Sequence, residues 1–327
     1  MLFSSKFVYK IILLSFVLLF GIFTYILLKP LNNTTDILID VKQGYGLNLV
    51  IDELTSKGLI DNPLLTKIFF RITNPSNKIM AGEYLVSNKD NVLNLFKRLS
   101  EGHVNYRKIR LKEGSSFNEL ATLIMDNPYI KVDDDFLDQK QIKAYLGIKY
   151  KSLEGIFYPD TYNFIKDDHY LEILKRSHLK HKDIISELWK NRTNGLPFTN
   201  SYEALILASI VEKEGIEKKE IAGVFIRRLN LNMKLQSDPT IIFALGDNFK
   251  GNIKRIHIKM KHPYNTYYIK GLPPGPIGLV SEESIEAVLN PSGGEALYFV
   301  SKGDGTHQFS VTLEEHNEAV RKYQLKK

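Results

Sequence analysis

The sequence predicts an α+β protein made of two modest domains behind an N-terminal transmembrane helix. Three features lead to this prediction: an uncharged apolar run near the start, a small module in which strand and helix patterns alternate, and a longer C-terminal region with one strong helix followed by polar segments. With 327 residues, 43% of them apolar, the chain can bury a substantial core. We assign residues 1–29 to the tail and anchor, 30–105 to the small module and 106–327 to the larger domain.

The first element is the uncharged segment Ile11–Leu28, which has 18 residues. As a helix it would be about 27 Å long, which is enough to cross the hydrocarbon layer. Lys6 and Lys10 precede it without an acidic residue, so the N-terminus is expected inside and the chain from Pro30 onward outside the cytoplasmic membrane. A cleaved signal peptide is the alternative, but the run is long and lacks a small-x-small cleavage site.

The charge and cysteine content exclude several classes of protein. The net charge is +7, and Lys6, Lys10 and Lys29 flank the apolar run, so only +4 remains for the rest of the chain. That excess is too small to indicate nucleic-acid binding, and a lysine-rich composition explains it. The absence of cysteine excludes disulfides, zinc–cysteine sites and thiol nucleophiles.

The next region alternates strand and helix patterns over roughly seventy residues. Alternating apolar residues predict strands, spacings of three and four predict helices, and Gly58 and Gly102 provide helix stops. The predicted order is strand Ile37–Val41, helix Asn48–Lys57, helix Pro63–Arg71, strand Gly82–Ser87 and helix Val92–Leu99. A strand over Tyr106–Lys112 and a helix over Phe117–Met125 follow, and the lysine- and acid-rich stretch 131–151 is expected to be a solvated surface loop with one turn of helix.

The strongest predicted helix is Ser201–Gly215. Asn200 followed by Glu203 is typical of a helix start, and Gly215 of a helix end. One arc of this helix is apolar, formed by Ala204, Leu205, Leu207, Ala208, Ile210 and Val211. Glu214 falls between Ile210 and Leu207 on that arc, Glu212 falls at its opposite margin, and Lys213 points outward.

A carboxylate on the buried face of the last helical turn is in an unusual position. Desolvation and the negative end of the helix dipole both disfavour its charged form, so the pKa of Glu214 is expected to rise. A raised pKa is what a general acid for glycosidic cleavage needs near neutral pH. The alternative is that the last turn frays and leaves Glu214 solvated.

Three polar segments follow this helix. Leu235–Thr240 is rich in hydrogen-bonding side chains and is predicted to be a loop after a helix over Ala222–Leu229. Tyr264–Tyr267 offers two aromatic rings, an amide and a hydroxyl, which can stack on sugars and bond their hydroxyl groups. Gly271–Pro276 is a stiff turn. Together they predict a polar cleft close to Glu214.

At these residues the sequence resembles the YceG-like family of endolytic murein transglycosylases. The resemblance covers nearly the whole chain, in the family's order, and its N-terminal module looks like a LysM-like subdomain (Gly82, Tyr84). The matching segments are Ser152–Gly155, Tyr158–Tyr162, Leu207–Glu214, Val224–Leu229, Leu235–Thr240, Tyr264–Tyr267, Gly271–Ile277, Leu297–Val300, Gly305–Ser310 and His316–Asn317. Arg227 and Leu279–Ser281 depart from the family pattern, which puts local loop geometry and substrate fit in doubt.

The resemblance implies cleavage of the β-1,4 bond between N-acetylmuramic acid and N-acetylglucosamine within nascent glycan strands. Glu214 would be the catalytic acid and base, producing a 1,6-anhydro end and so terminating strand elongation, with Glu212, Gln236 and Asp238 in support. No metal or organic cofactor is implied. The implied substrate-binding residues are Glu154, Ser237, Thr240, Tyr264, Asn265, Thr266, Tyr267, Pro273, Pro274 and His307.

The implied partners are peptidoglycan strands, the cytoplasmic membrane and peptidoglycan synthases, with no nucleic acid. Two alternatives stay open at this point. One is a non-catalytic scaffold that binds the cell wall. The other is a hydrolase that activates water with Glu154, Glu212 or Asp238 as its second carboxyl group.

Overall fold

The computed structural model describes residues 5–74, 78–133 and 138–325. The chain forms two compact units. Unit 1 contains Met1–Arg107 and Asn163–Asp167, and unit 2 contains Lys108–Tyr162 and Asp168–Lys327. The observed mixture of helices and short strands confirms the predicted α+β class.

Unit 1 has the predicted order of elements, strand, helix, helix, strand, helix, behind a long N-terminal helix. Of this helix, Tyr9–Leu28 is long and apolar enough to cross a membrane by length and composition, and it lies near the N-terminus. The elements are α1 (Ser5–Leu28), β1 (Ile37–Val41), α2 (Leu47–Ser56), α3 (Pro63–Thr73), β2 (Gly82–Val86) and α4 (Val92–Glu101).

The core of unit 1 lies between its antiparallel strand pair and its helices. Ile39 of β1 is opposite Tyr84 of β2, and both side chains are buried. The Tyr84 hydroxyl keeps a partner despite its burial, because it donates to the Met80 carbonyl at 2.7 Å. The rings of Phe70 on α3 and Phe96 on α4 pack edge to face, with their centres 5.1 Å apart.

Unit 2 carries most of the helices. Strands β3 (Arg107–Arg110) and β5 (Thr161–Phe164) each contain a point where the chain passes between units. The remaining elements are α5 (Phe117–Met125), β4 (Ile130–Lys131), α6 (Gln139–Leu146), β6 (Asp168–His169), α7 (Tyr170–Lys190), α8 (Ser201–Glu214), α9 (Lys218–Asn230), α10 (Asp238–Leu245), a 3₁₀ turn (Gly246–Asn248), α11 (Arg255–Ile258), α12 (Glu282–Leu289), β7 (Tyr298–Ser301), β8 (His307–Ser310) and α13 (Leu313–Tyr323).

Helix α8 is at the centre of unit 2, where it packs against α7, α9 and α12. All six residues of the predicted apolar arc are buried, as are Ile206 and Ser209 on its other side. The Asn200 side chain caps the helix by accepting hydrogen bonds from the backbone N–H groups of Tyr202 and Glu203. Because the middle of α8, from Ala204 to Val211, is enclosed on all sides, Glu214 is presented from a rigid support.

Several predicted boundaries differ from the structure. The stretch 131–151, predicted as a solvated loop, contains the eight-residue helix α6, whose Ile142 side chain is buried. Residues 134–137 of this stretch lie outside the described residues. Helix α9 begins at Lys218, four residues before the predicted start at Ala222. The last residues of the predicted loop Leu235–Thr240 form the first turn of α10. Pro239 is compatible with this position, because the backbone N–H groups of a first helical turn have no partner within the helix.

The central position of α8 leads to a stability prediction. Replacement of the fully buried Leu207 by Ala leaves a cavity and should cost about 2 to 5 kcal/mol of the unfolding free energy of unit 2. Leu231→Ala is the matched control, because that side chain is 60% exposed and should cost about 0.5 kcal/mol or less. Urea denaturation of the full chain in detergent measures both; equal losses would contradict the enclosed position of α8.

Candidate active site

The last turn of α8 presents Glu214 to a cleft of about 540 Å³ in unit 2. The side chain is half-buried. One wall of the cleft comes from the segment that follows α9, including Leu235, Gln236 and Asp238. The facing wall comes from β7, β8 and α13. The volume lies within the range of small-ligand sites, and the openness of the groove to solvent suits a chain-like ligand.

Ser237 holds the Glu214 carboxyl group. Its hydroxyl donates a hydrogen bond to Glu214 Oε1. Ser237 is itself buried, and its backbone N–H donates to the Thr266 hydroxyl at 2.9 Å. Thr240 and Thr266 lie within hydrogen-bond distance of each other at 2.8 Å, and Thr240 donates to the Ser237 carbonyl at 2.6 Å. These three hydroxyl residues form one buried network that fixes the Ser237 hydroxyl under the carboxyl group.

The surroundings of Glu214 favour its neutral form. Burial raises the pKa of Glu214 to about 7, against the lowering effect of the Ser237 hydrogen bond. The nearby charge of Asp238 adds to the rise in this pKa, and the charge of Arg228 opposes it. At neutral pH the carboxyl group therefore exists in both protonation states, so it can give a proton and take one back.

Two tyrosines and a buried arginine surround the carboxyl group. Tyr267 donates from its hydroxyl to Asp238 Oδ1 at 2.7 Å, and both residues line the cleft. Arg228 donates to the carbonyl groups of Leu297 at 2.6 Å and Leu235 at 2.7 Å, which ties the two walls together. Its guanidinium group lies 5.1 Å from the centre of the Tyr298 ring.

His307 lines the cleft from strand β8. Its Nδ1 lies 2.9 Å from Glu217 Oε2, and its backbone N–H donates to the same oxygen at 2.7 Å. The ring approaches Gly215 so closely that a Cβ there would lie 2.6 Å from His307 Cε1. Gly215 has an extended φ of 167°, so its role at the end of α8 is to make room for His307 and not to adopt the left-handed conformation.

The structure thus brings together eight of the predicted site residues in and under one cleft. Glu214, Gln236, Asp238, Tyr267 and His307 line it, and Ser237 bonds to Glu214. Thr240 and Thr266 are fully buried behind Ser237, so their hydroxyl groups support the site from below.

Glu212 faces away from this cleft. Its carboxylate accepts from Ser281 N at 2.9 Å and lies 3.3 Å from Lys218 Nζ. Burial acts to raise the pKa of Glu212, but the hydrogen bonds from Ser281 and the nearby charge of Lys218 help to lower that pKa below its usual value. These contacts tie α8 to the start of α12. Glu212 can therefore support catalysis only by holding α8 in place.

Glu154 is also absent from the residues that line this cleft. It is buried and accepts from the backbone N–H of Phe117, at 3.0 and 3.1 Å to its two oxygens, at the N-terminus of α5. Burial raises the pKa of Glu154 to about 7. A buried carboxyl group at a helix start is a packing feature of unit 2, which the sequence pattern does not distinguish from a substrate contact.

Four other predicted substrate contacts lie outside the residues that line the cleft. Asn265 is fully buried, and its amide donates to the carbonyl groups of His257, Ile258 and Met260. Tyr264 packs against Phe243, with ring centres 4.9 Å apart. Pro273 is buried and Pro274 is exposed. Asn265 therefore shapes the segment that carries Tyr267 and has no amide hydrogen left for a sugar.

Sequence reasoning missed several residues of the cleft. Arg228 could have been identified from the sequence, because it follows Ile221 and Phe225 at helical spacing. This spacing places a charged side chain on the buried face of α9, where charged residues are rare unless they have partners. Tyr298, His316 and Asn317 lie in segments that match the family pattern, but no local feature marked them, or Gln324, as site residues. They reach the cleft only because β7, β8 and α13 fold against its far side.

The two departures from the family pattern have structural partners. Arg227 donates to the carbonyl groups of Ala296 at 2.7 Å and Ser292 at 3.3 Å. In the second departure, Leu279 exchanges backbone hydrogen bonds with Gly114 and Ser115, and Ser281 caps α12. Within the described ranges, no group of three or more His, Cys, Asp or Glu residues could hold a metal ion.

Comparison with known proteins gives consistent matches over most of the chain. An endolytic murein transglycosylase of Bacillus subtilis is 30% identical over 320 residues, covering 91% of this chain and 88% of that protein. One from Streptococcus pneumoniae strain R6 is 27% identical and covers 89% of this chain, which spans 59% of that longer protein. A crystal structure of a YceG-like protein from Listeria monocytogenes has a TM-score of 0.56 at 30% identity, covering 88% of this chain and 99% of that one.

The family model described as the YceG-like family matches residues 39–322. This range includes both the segment from α8 to α10, which holds Glu214, and the β7–α13 region on the far side of the cleft. The protein belongs to the YceG-like family.

Proposed function

We propose that this protein is a membrane-anchored endolytic murein transglycosylase, with Glu214 as its catalytic acid and base. The observation that carries the proposal is a half-buried carboxyl group held by Ser237 in an open polar cleft. Burial there raises the pKa of Glu214 to about 7. The names of the relatives from Bacillus subtilis and Streptococcus pneumoniae support it. The substrate is the β-1,4 bond between N-acetylmuramic acid and N-acetylglucosamine inside a glycan strand.

In the first half of the reaction, protonated Glu214 gives its proton to the oxygen that leaves C1 of the muramic acid residue. The C1–O bond breaks, and positive charge develops on the sugar ring. The carboxylate left on Glu214 stabilises that charge, and the Ser237 hydroxyl stabilises the carboxylate.

In the second half, the Glu214 carboxylate removes the proton from the 6-hydroxyl group of the same sugar. The freed oxygen attacks C1 and closes a 1,6-anhydro ring, which returns Glu214 to its protonated state. Because an internal hydroxyl group replaces water, one carboxyl group is sufficient. Tyr267, Tyr298, Gln236 and Asn317 line the cleft, and we expect their aromatic rings and amide groups to hold neighbouring sugars.

The location and organisation of the protein form part of the proposal. Helix α1 is a single-pass anchor in the cytoplasmic membrane, with unit 2 on its outer side, supported by the apolar span Tyr9–Leu28. Residues 30–105 form a LysM-like subdomain that binds glycan, and 106–327 form the catalytic domain. Peptidoglycan synthases are the proposed partners, because cleavage of nascent strands beside them would terminate elongation.

A hydrolase remains the competing function, and one observation favours it. Asp238 is the second carboxyl group that lines the cleft beside Glu214 among the described residues. A water molecule activated there would give a reducing end in place of the anhydro ring. The two mechanisms therefore differ in their products.

The first prediction concerns the catalytic carboxyl group. Glu214→Gln should lower cleavage of purified glycan strands by about 10³-fold or more, because an amide cannot exchange the proton. Mass spectrometry of digests made by the full chain in detergent checks both rate and product. The parent should release fragments lighter by one water than hydrolysis products.

Glu154→Gln is the matched control, because it changes an equally perturbed carboxyl group that lies outside the cleft. This variant should retain the parent's product and most of its rate. Full activity in Glu214→Gln would overturn the assignment of Glu214, and reducing-end products from the parent would establish the hydrolase.

The second prediction concerns pH. Glu214 must start protonated, so kcat/KM should fall as the pH rises through about 7. The Ser237 hydrogen bond favours the charged form and lowers the pKa of Glu214. Ser237→Ala should therefore move the alkaline fall of kcat/KM to higher pH by roughly one unit, since one hydrogen bond contributes about 1 kcal/mol.

Ser284→Ala is the control for this measurement. Ser284 is an equally buried serine, but it lies in the first turn of α12 and is absent from the residues that line the cleft. Its pH profile should match that of the parent. An unchanged profile in Ser237→Ala would mean that another group than Glu214 controls the alkaline fall.

A further inference from the structure

Helix α3 of unit 1 carries an exposed apolar stripe next to the proposed membrane anchor. Leu64, Ile68 and Ile72 follow one another at intervals of four residues and are 68%, 44% and 70% exposed. Intervals of four place them along one side of the helix, on successive turns. Three large aliphatic side chains exposed in a row call for an apolar partner outside unit 1.

The position of α3 against α1 indicates what that partner is. Lys29, just after α1, forms an ion pair with Asp61, just before α3. Eight residues further along α3, Phe69 contacts Phe23 of α1, with ring centres 6.3 Å apart. Helix α3 therefore runs back along α1, from its outer end towards Phe23.

These two contacts set the depth of the stripe. Phe23 lies inside the apolar span Tyr9–Leu28, five residues before its outer end, which corresponds to roughly 7.5 Å along the helix axis. Phe69 is level with Phe23, so Ile68 and Ile72 on the same half of α3 are also level with the outer part of this span. Amphipathic helices in the membrane interface bury their apolar faces to a similar depth, about 5 to 10 Å.

The basic residues of α3 also indicate a lipid surface as its partner. At 100° per residue, Leu64, Ile68, Ile72, Leu65 and Phe69 occupy one arc of about 140°, with Phe69 at the side that meets α1. Lys67 and Arg71 lie just beyond the opposite margin of this arc. Arg71 is exposed, and Lys67 Nζ lies 3.8 Å from Asp52. Basic residues at the margin of an apolar face are typical of helices on anionic lipid surfaces.

We infer that α3 is a second membrane contact, whose stripe Leu64–Ile68–Ile72 inserts into the outer lipid interface beside α1. The inference rests on the proposed anchoring role of α1. The bilayer would then hold unit 1 through two helices, so unit 1 cannot swing freely about the end of α1.

Site-directed spin labelling tests this directly, because the sequence has no cysteine and a single introduced thiol is therefore unique. The full chain is reconstituted into phosphatidylcholine–phosphatidylglycerol liposomes, with a nitroxide on Ile68→Cys or Ile72→Cys. Collision rates are measured with oxygen, which concentrates in lipid, and with a water-soluble nickel chelate. Leu18→Cys in the middle of α1 is the lipid reference, and Leu231→Cys in unit 2 is the water reference.

The labels at positions 68 and 72 should show an oxygen-to-nickel collision ratio several-fold above that at position 231 and approaching that at position 18. A ratio equal to that at position 231 would overturn the inference while leaving the anchor intact. Low access to both reagents with an immobilised spectrum would also overturn it, since a protein partner would then cover the stripe. A water-like ratio at position 18 would refute the anchor and this inference together, without bearing on cleavage by Glu214.

Discussion

The chemistry proposed for this protein depends on keeping the Glu214 carboxyl group partly out of water while the hydrogen bond from Ser237 holds it. Burial alone would leave the carboxyl group without a fixed orientation, and full hydration would return its pKa to the usual acidic range. The Ser237 hydroxyl resolves this conflict, because it orients the group and only partly offsets the effect of burial. Much of unit 2 serves this arrangement. Helix α8 is enclosed by α7, α9 and α12, and the threonine network fixes Ser237.

The central helix and its carboxyl group could be predicted from periodicity alone. The apolar arc of α8 is continuous in sequence, and Glu214 interrupts it at its last turn, so a local pattern contains the necessary information. The order of elements in unit 1 was predictable for the same reason. The 21-residue helix α7 was not identified. Its buried aliphatic residues are Leu171, Ile173, Leu174 and Ile185, and the buried Ser177 and His181 between them interrupt the apolar pattern.

The rest of the site depends on long-range packing, which local patterns do not encode. Asn265 and Tyr267 are two residues apart in one polar segment, yet one satisfies three backbone carbonyl groups and the other faces the cleft. Glu212 and Glu214 are also two residues apart, and one of them binds α12 while the other meets Ser237. The wall formed by Tyr298 and His316 lies far from Glu214 in sequence and is joined to the opposite wall by Arg228. Composition identifies such segments, but only the fold separates supporting residues from those that face substrate.

The backbone beside the proposed catalytic group contains one residue in a strained conformation. Gln236 has a left-handed φ of 52°. For a residue with a Cβ atom this conformation lowers the free energy of unfolding by about 1 kcal/mol relative to glycine. A search for more heat-resistant variants would therefore favour glycine at this position. Glycine would also remove the one amide side chain on that wall of the cleft next to Ser237. A screen that selects only for stability would therefore favour a change at Gln236 that removes a proposed contact with the substrate.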